Sequence, residues 1–285
     1  MRQPLHFWVV GGDPRCLALA QALVGDGHTV HTYALGAKAV CPSNTLNSID
    51  NADCVILPLP AHSGELLNAP LASEPPVLEH VLDALAPGQL CCAGRVSPEL
   101  ERAAQARRLR LIDYFVREEL AVANAVPTGE GAIQIAMEEL PITLHGARVL
   151  LIGAGRLSRV LAQQLRGLGS KVTVAARRFS DLAWAEVWGC TAERTDELRG
   201  WMCSYDLVIN TAPALLMGRE ELEDLKPGCL VIDLASAPGG VDFAAAEELG
   251  VKAIQALSLP GKVAPVTAAL AIKAAIYNIL TELGV

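Results

Sequence analysis

Short runs of consecutive apolar residues, closed by glycine, proline or a polar residue and followed by helically spaced apolar positions, recur along this chain. The clearest is Val149-Leu150-Leu151-Ile152, which runs into Gly153-Ala154-Gly155 and then into Leu157, Val160, Leu161 and Leu165. An unbroken apolar run fits a strand covered on both faces of a parallel sheet; spacings of three and four fit a helix. The chain opens in the same way, with Leu5-His6-Phe7-Trp8-Val9-Val10 leading to Gly11-Gly12-Asp13-Pro14-Arg15 and a helical segment over 16–24. Further strands are expected at 28–33, 53–58, 88–93, 109–114, 171–178, 207–213, 229–236 and 252–256, with helices near 77–85 and 99–108. This alternation predicts an α/β protein of two Rossmann-like, doubly wound domains with a cleft between them.

Between the halves, apolar residues keep helical spacing over 118–140, with a break expected at 124–131, where Pro127, Gly129 and Gly131 fall. Thr128 and Glu130 either face a ligand there, or Thr128 is an N-cap. A last helix from about 268 to 283 is too apolar for water and is expected to return to the first domain. The domains are therefore placed at 1–125 with 266–285, for substrate or interaction, and at 126–265, for the nucleotide.

The turn at Gly153-Ala154-Gly155 carries the candidate cofactor chemistry. Its glycines permit a sharp turn and close approach of a ligand, and the first N–H groups of the next helix, at Arg156 and Leu157, attract a pyrophosphate. The third glycine of the usual fingerprint is Ser158, which is still small enough for close packing. The alternative is that two glycines only let strand and helix pack tightly. A site for NAD usually places a carboxylate about 20 residues further on. Here the strand ends in Ala175-Ala176-Arg177-Arg178, so a 2′-phosphate has guanidinium partners and NADP is favoured, with NAD possible. One of the two arginines is expected to be only a solvated strand end. At the carboxyl edge, Asn210, Thr211 and Pro213 end one strand and Asp233, Ala235 and Ser236 the next, near the nicotinamide half. Asp233 is either a ribose or N–H ligand or a satisfied buried acid.

Substrate candidates cluster at other strand ends. Gly11-Gly12-Asp13 would set a carboxylate where a pyrophosphate must sit, so no second nucleotide is expected there. Arg15 either faces an anionic substrate beside Gly12 or pairs with Asp13 in a helix cap. Ser63 and Gly64 are free to approach a ligand, and His62 is weighed as an acid or base against an ordinary loop histidine. Arg95 follows another strand end. Lys262, in a glycine-proline loop, either orients an acidic substrate or is simply solvated.

Composition narrows the partners. The 285 residues are 52% hydrophobic and 19% charged, with no uninterrupted apolar stretch of membrane-span length. A net charge of −8 argues against nucleic acid and anionic membrane. The first apolar run reads as a strand and not a secretory signal, so the cytoplasm is expected. Eight cysteines without a C-x-x-C pair, several of them (Cys54, Cys203, Cys229) in or beside predicted core strands, predict small buried hydrophobes and no metal site.

Five phrases, Gly11-Gly12-Asp13-Pro14-Arg15, Pro127-Thr128-Gly129-Glu130-Gly131, Asn210-Thr211-Ala212-Pro213, Asp233-Leu234-Ala235-Ser236-Ala237-Pro238-Gly239-Gly240-Val241-Asp242-Phe243 and Leu259-Pro260-Gly261-Lys262-Val263-Ala264-Pro265, resemble the A subunits of bacterial dipicolinate synthase over almost the whole chain. Ser158, and Ala269 where a glycine is expected, depart from the pattern. The resemblance implies an NAD(P)-dependent oxidoreductase acting on the CH-CH or CH-NH bond of a dihydropyridine dicarboxylate. With the flavoprotein-like B subunit of dipicolinate synthase it would convert dihydrodipicolinate, drawn from the lysine pathway, into dipicolinate in the mother-cell cytoplasm during sporulation, as an oligomer. Lys262, Thr128 and Arg15 are then the catalytic candidates, and Gly12, Arg15, Ser63, Arg95, Thr128, Ser236 and Lys262 the substrate-binding ones. Two alternatives stand beside this reading: a non-catalytic NADP(H)-binding regulatory protein, and a two-domain amino- or hydroxy-acid dehydrogenase, against which the lack of an Arg/Glu/His set counts.

Overall fold

A computed structural model describes residues 3–285. They fall into two compact units, one up to Asn124 together with Ala264–Val285, the other Ala125–Val263. The first unit contains β1 (His6–Val10), α1 (Pro14–Gly25), β2 (Thr29–Tyr33), β3 (Pro42–Ser43), β4 (Cys54–Ile56), a small antiparallel hairpin of β5 (His62–Ser63) and β6 (Leu66–Leu67), α2 (Leu78–Asp83), β7 (Leu90–Ala93), α3 (Pro98–Ala106) and β8 (Arg110–Asp113). Then α4 (Glu118–Glu139) leads into the second unit: β9 (Arg148–Ile152), α5 (Arg156–Gly167), β10 (Lys171–Ala176), α6 (Phe179–Val187), β11 (Thr191–Arg194), β12 (Leu207–Asn210), α7 (Arg219–Glu223), β13 (Leu230–Asp233), α8 (Phe243–Glu248), β14 (Lys252–Gln255) and α9 (Leu259–Val263). The last helix, α10 (Pro265–Leu283), belongs to the first unit.

Each unit is built on a six-stranded sheet, ordered β3-β2-β1-β4-β7-β8 in one and β11-β10-β9-β12-β13-β14 in the other. Every strand pair in both sheets is parallel. Both are the doubly wound order, in which the chain reverses direction across the sheet beside the first strand and opens a crevice at the carboxyl ends. The expected α/β class with two Rossmann-like units is thus observed.

The apolar runs divide by their period of two. In β9, Val149 and Leu151 point to a core with Leu161 and Leu165 of α5, and Leu150 and Ile152 to one with Met202, Tyr205 and Met217. In β1, Phe7 and Val9 face Leu19 and Leu23 of α1 and Ile272 and Ile276 of α10, while Trp8 and Val10 face Val81 and Leu100.

By length and composition α10 is able to cross a bilayer, at a mean hydropathy of 1.4 over its most apolar window. Its apolar face instead lies in the core of the first unit, and its polar face is tied there: Lys273 Nζ and Tyr277 Oη each donate to Asp26 Oδ2 at 2.7 Å.

Two expectations are corrected. The break at 124–131 does not form: α4 runs unbroken for 22 residues with Pro127 inside it. One proline removes a single helical hydrogen bond, and the glycines serve packing rather than turning. A Cβ at Gly129 would strike the Gln164 amide, and one at Gly131 would lie 3.1 Å from Leu259 Cβ. Cys203, expected in or beside a core strand, is exposed in the short 3-10 turn Met202–Ser204.

Candidate dinucleotide site

At the carboxyl edge of the second sheet, the turn from β9 leads into a helix, α5, whose start no side chain caps. Gly153 has a φ of +106°, in the region open to glycine, and a Cβ there would strike the Thr211 hydroxyl. Its N–H donates to Ala175 O at 2.8 Å, which pins the turn to β10. Gly155 is the N-cap of α5 with ordinary φ of −78°, and no side chain caps this turn. A Cβ at Gly155 would meet no atom within 4 Å, so nothing in the chain itself requires glycine here. An uncapped helix start beside open space attracts an anion through its amides and its dipole. These features fit the pyrophosphate of a dinucleotide, approached across Gly153 and met by the backbone amides that follow it up to Leu157.

Ser158, at the position of the missing glycine, is buried and lies 2.8 Å from Thr211 Oγ1. Thr211 donates to Ile152 O at 2.9 Å, so it must accept from Ser158. The serine thereby ties the start of α5 to the end of β12, and the Thr211 hydroxyl, expected at the cofactor, is committed to this link.

Of the readings of Asp233, the satisfied buried acid is the one observed, and Asn210 is its partner. Both are wholly buried on adjacent strands in register. Asn210 Nδ2 donates to Asp233 Oδ1 at 2.8 Å and to Ala212 O at 2.9 Å. Asp233 accepts in addition from the N–H groups of Ala235, 3.0 Å, and Gly240, 2.9 Å. Burial at these strand ends demands partners, and the loops supply them. The pair shapes the loops over 211–213 and 235–240, and what those loops expose is Pro213, Ser236, Ala237 and Pro238, with Ala235 buried beneath.

Beyond β10, Arg177 is exposed, whereas Arg178 lies side-on against Asp181, Nε to Oδ2 at 2.8 Å and Nη2 to Oδ1 at 3.1 Å. The neighbouring strand end carries Arg194, in register with Ala176, bound to Asp196 and Glu197 and set over the Phe179 ring. Asp181, Arg194 and Phe179 are not among the candidates that the sequence singles out. The i,i+3 spacing of Arg178 and Asp181 at a helix start is the signal that could have found the first of them.

The first unit answers its own glycine turn internally. Asp13 caps α1, accepting from Arg15 N at 2.9 Å, and holds the Arg15 guanidinium with Nη2 to Oδ2 at 2.7 Å. The same Nη2 donates to Leu59 O at 2.7 Å. Of the two readings of Arg15, the paired cap is the one observed. Gly12, at φ of +110°, leaves no room for a side chain against Cys16. Burial pushes the Cys16 thiol up to about 12, so it stays protonated at neutral pH. His62 is satisfied on both sides: Nδ1 lies 2.8 Å from Gly64 O, which can only accept, and Nε2 is 2.9 Å from Ser97 Oγ. The ring therefore braces the hairpin that carries the exposed Ser63. Arg95 is exposed and sits at φ of +57°, its N–H bound to Asp113 Oδ1 at 3.1 Å. Lys262 is exposed on α9, and Thr128 is half-buried within α4. Among the described residues, no three His, Cys, Asp or Glu side chains are grouped to hold a metal ion.

Residues 6–115 match the N-terminal domain of the dipicolinate synthase A subunit, and residues 120–284 match the alanine dehydrogenase/PNT C-terminal domain. The chain is 34% identical to the A subunit of dipicolinate synthase from Bacillus subtilis (strain 168), covering 98% of this chain and 97% of that one. The crystal structure of the A chain of dipicolinate synthase from Bacillus subtilis superposes with a TM-score of 0.88 at 32% identity, over 100% of this chain and 98% of that one. The corresponding A subunit from Bacillus halodurans superposes with a TM-score of 0.88 at 27% identity, covering 97% of each chain. A transhydrogenase from Sinorhizobium meliloti shares the fold, with a TM-score of 0.74 at 18% identity over 97% and 94% of the chains.

Proposed function

Since the chain belongs to the family of dipicolinate synthase A subunits, we propose that it oxidises dihydrodipicolinate to dipicolinate with NADP as acceptor, working with a flavoprotein-like B subunit. The observation that carries the reading is the uncapped glycine turn of α5, followed by a strand that ends in arginines and no carboxylate. A bound nicotinamide dinucleotide supplies the hydride acceptor. The protein's part is to hold and orient. The amides from Ala154 to Leu157 take the pyrophosphate, arginine after β10 takes the 2′-phosphate, and the loops bearing Pro213, Ala235 and Ser236 border the nicotinamide half.

Forming an aromatic pyridine drives the reaction, so positioning contributes more than a strong base. A dicarboxylate needs cations and N–H donors. Lys262 in the second unit, and Arg95 with Ser63 and Gly12 in the first, are exposed or glycine-lined candidates for this; Thr128 is a further one. Arg15 would first have to leave Asp13 and Leu59 O, so its role is to fix the turn at Gly12. On the same reading the protein works in the mother-cell cytoplasm of a sporulating bacterium, in an assembly with the B subunit.

The test mixes the purified chain, its partner protein, dihydrodipicolinate and NADP⁺ and follows the absorbance of reduced nicotinamide. A rise that needs all components is expected, and no reduction of either NADP⁺ or NAD⁺ overturns the proposal. One observation favours a second reading, a nucleotide-binding regulatory protein: the single histidine of the second unit, His145, lies at the amino edge of the sheet, against Gly169. Lys262→Ala separates the two. A regulatory protein keeps the coupled activity, whereas a catalytic one loses it by about tenfold or more.

A further inference from the structure

Three guanidinium groups stand where β10 and β11 end, and two of them already have carboxylates. Arg178 is clamped side-on by Asp181, whose carboxylate is only 15% exposed. Arg194 is held by Asp196 and, at 3.4 Å, by Glu197, with its guanidinium 5.2 Å from the centre of the Phe179 ring. Arg177 is exposed, and among the described residues no hydrogen bond or ion pair reaches it.

We infer that Arg177 alone distinguishes a 2′-phosphorylated dinucleotide from its unphosphorylated counterpart, and that Asp181 keeps Arg178 out of that role. The assignment rests on the reading of the glycine turn as a dinucleotide site. Its physical basis is charge availability. For Arg178 to turn to a phosphate it must break two charge-assisted hydrogen bonds and leave a largely covered carboxylate facing a phosphate dianion. Arg177 has no such debt to settle, and its planar fork is suited to phosphate oxygens. Both oxygens of Asp181 already accept from Arg178, which holds that carboxylate against the guanidinium. The corner therefore favours the phosphorylated cofactor: one cation is free to bind it, and the carboxylates there, Asp181, Asp196 and Glu197, each sit against another guanidinium.

Calorimetric titration of the full chain with NADP⁺ and with NAD⁺ tests this, using wild type, Arg177→Ala, Arg177→Lys and Arg178→Ala. Wild type is expected to bind NADP⁺ at least about tenfold more tightly than NAD⁺, and Arg177→Ala to lose most of that preference while its NAD⁺ affinity stays within about twofold. Lysine at 177 restores part of the preference, and Arg178→Ala keeps it within about twofold. The assignment is overturned if Arg178→Ala erases the preference, if Arg177→Ala leaves it intact, or if wild type binds both cofactors alike. Binding of neither cofactor by wild type is a different result, which removes the dinucleotide reading itself and this assignment with it.

Discussion

Gly153 and Gly155 are both glycines of one turn, yet the chain needs them for different reasons. Gly153 is required by the fold, because its φ is positive and Thr211 closes the space where a side chain would go. Gly155 has an unstrained φ and open space around it, so the fold itself does not need it small. Gly153→Ala is therefore expected to cost about 1–3 kcal/mol of stability and to weaken cofactor binding as well. Gly155→Ala is expected to cost under about 1 kcal/mol and still to abolish binding. Urea unfolding alongside calorimetry checks the pair, and equal loss of stability in both variants would contradict the distinction. The G-x-G spacing is legible in sequence, but this division of labour is not, since it depends on Thr211, 58 positions from Gly153. Asn210 and Asp233 show the same limit. Each is a polar residue ending an apolar run, and only their pairing across two adjacent strands reveals that they are committed to shaping the loops beyond.

At the scale of elements, strands and their order are well announced by apolar runs, because a parallel strand covered on both faces tolerates little else. Helix α4 escapes the same reading because proline and glycine are common turn residues, and the sequence does not show that Gln164 and Leu259 press on the two glycines. Helix α10 is found on the first unit, as its apolar composition predicts, but its polar anchors are not legible in advance. Hydrogen bonds from Lys273, and then from Tyr277, hold the Asp26 carboxyl below its usual range. A lowered carboxylate pKa in the folded state means stability that is complete above the unfolded value of about 3.9 and lost as pH falls through the folded value. Lys273→Met should thus be less stable than wild type near neutrality, and the gap should close as pH drops below about 4. Thermal unfolding across that range measures it; a gap that persists undiminished into acid would show that Lys273 acts through packing alone.

For the whole molecule, each sheet carries helices on both faces and its own core, which is why the two-domain reading from strand alternation holds for fold class. The thiols report on the same burial. Cys16, Cys54, Cys91, Cys92, Cys190 and Cys229 are buried, while Cys41 and Cys203 are exposed. Burial lifts Cys229, like Cys16, to about 12 and raises Cys91 and Cys190, and the hydrogen bond with Cys92 together with burial raises Cys54, so none of these offers a reactive thiolate at neutral pH. A thiol reagent applied to the native protein should modify two cysteines per chain, at 41 and 203, and the remaining six only after denaturation. Modification of a third site without unfolding would show that one of the cores opens readily.

The first unit is discontinuous in sequence, and this governs the order in which a growing polypeptide is able to finish its parts. Domains usually mature in the sequence in which they leave the ribosome. Here Phe7, Val9, Leu19 and Leu23 must wait for Ile272 and Ile276, encoded after the whole nucleotide-type unit. The later-starting unit is thus completed earlier, and the leading segment stays exposed to chaperones and proteases until translation has passed position 276.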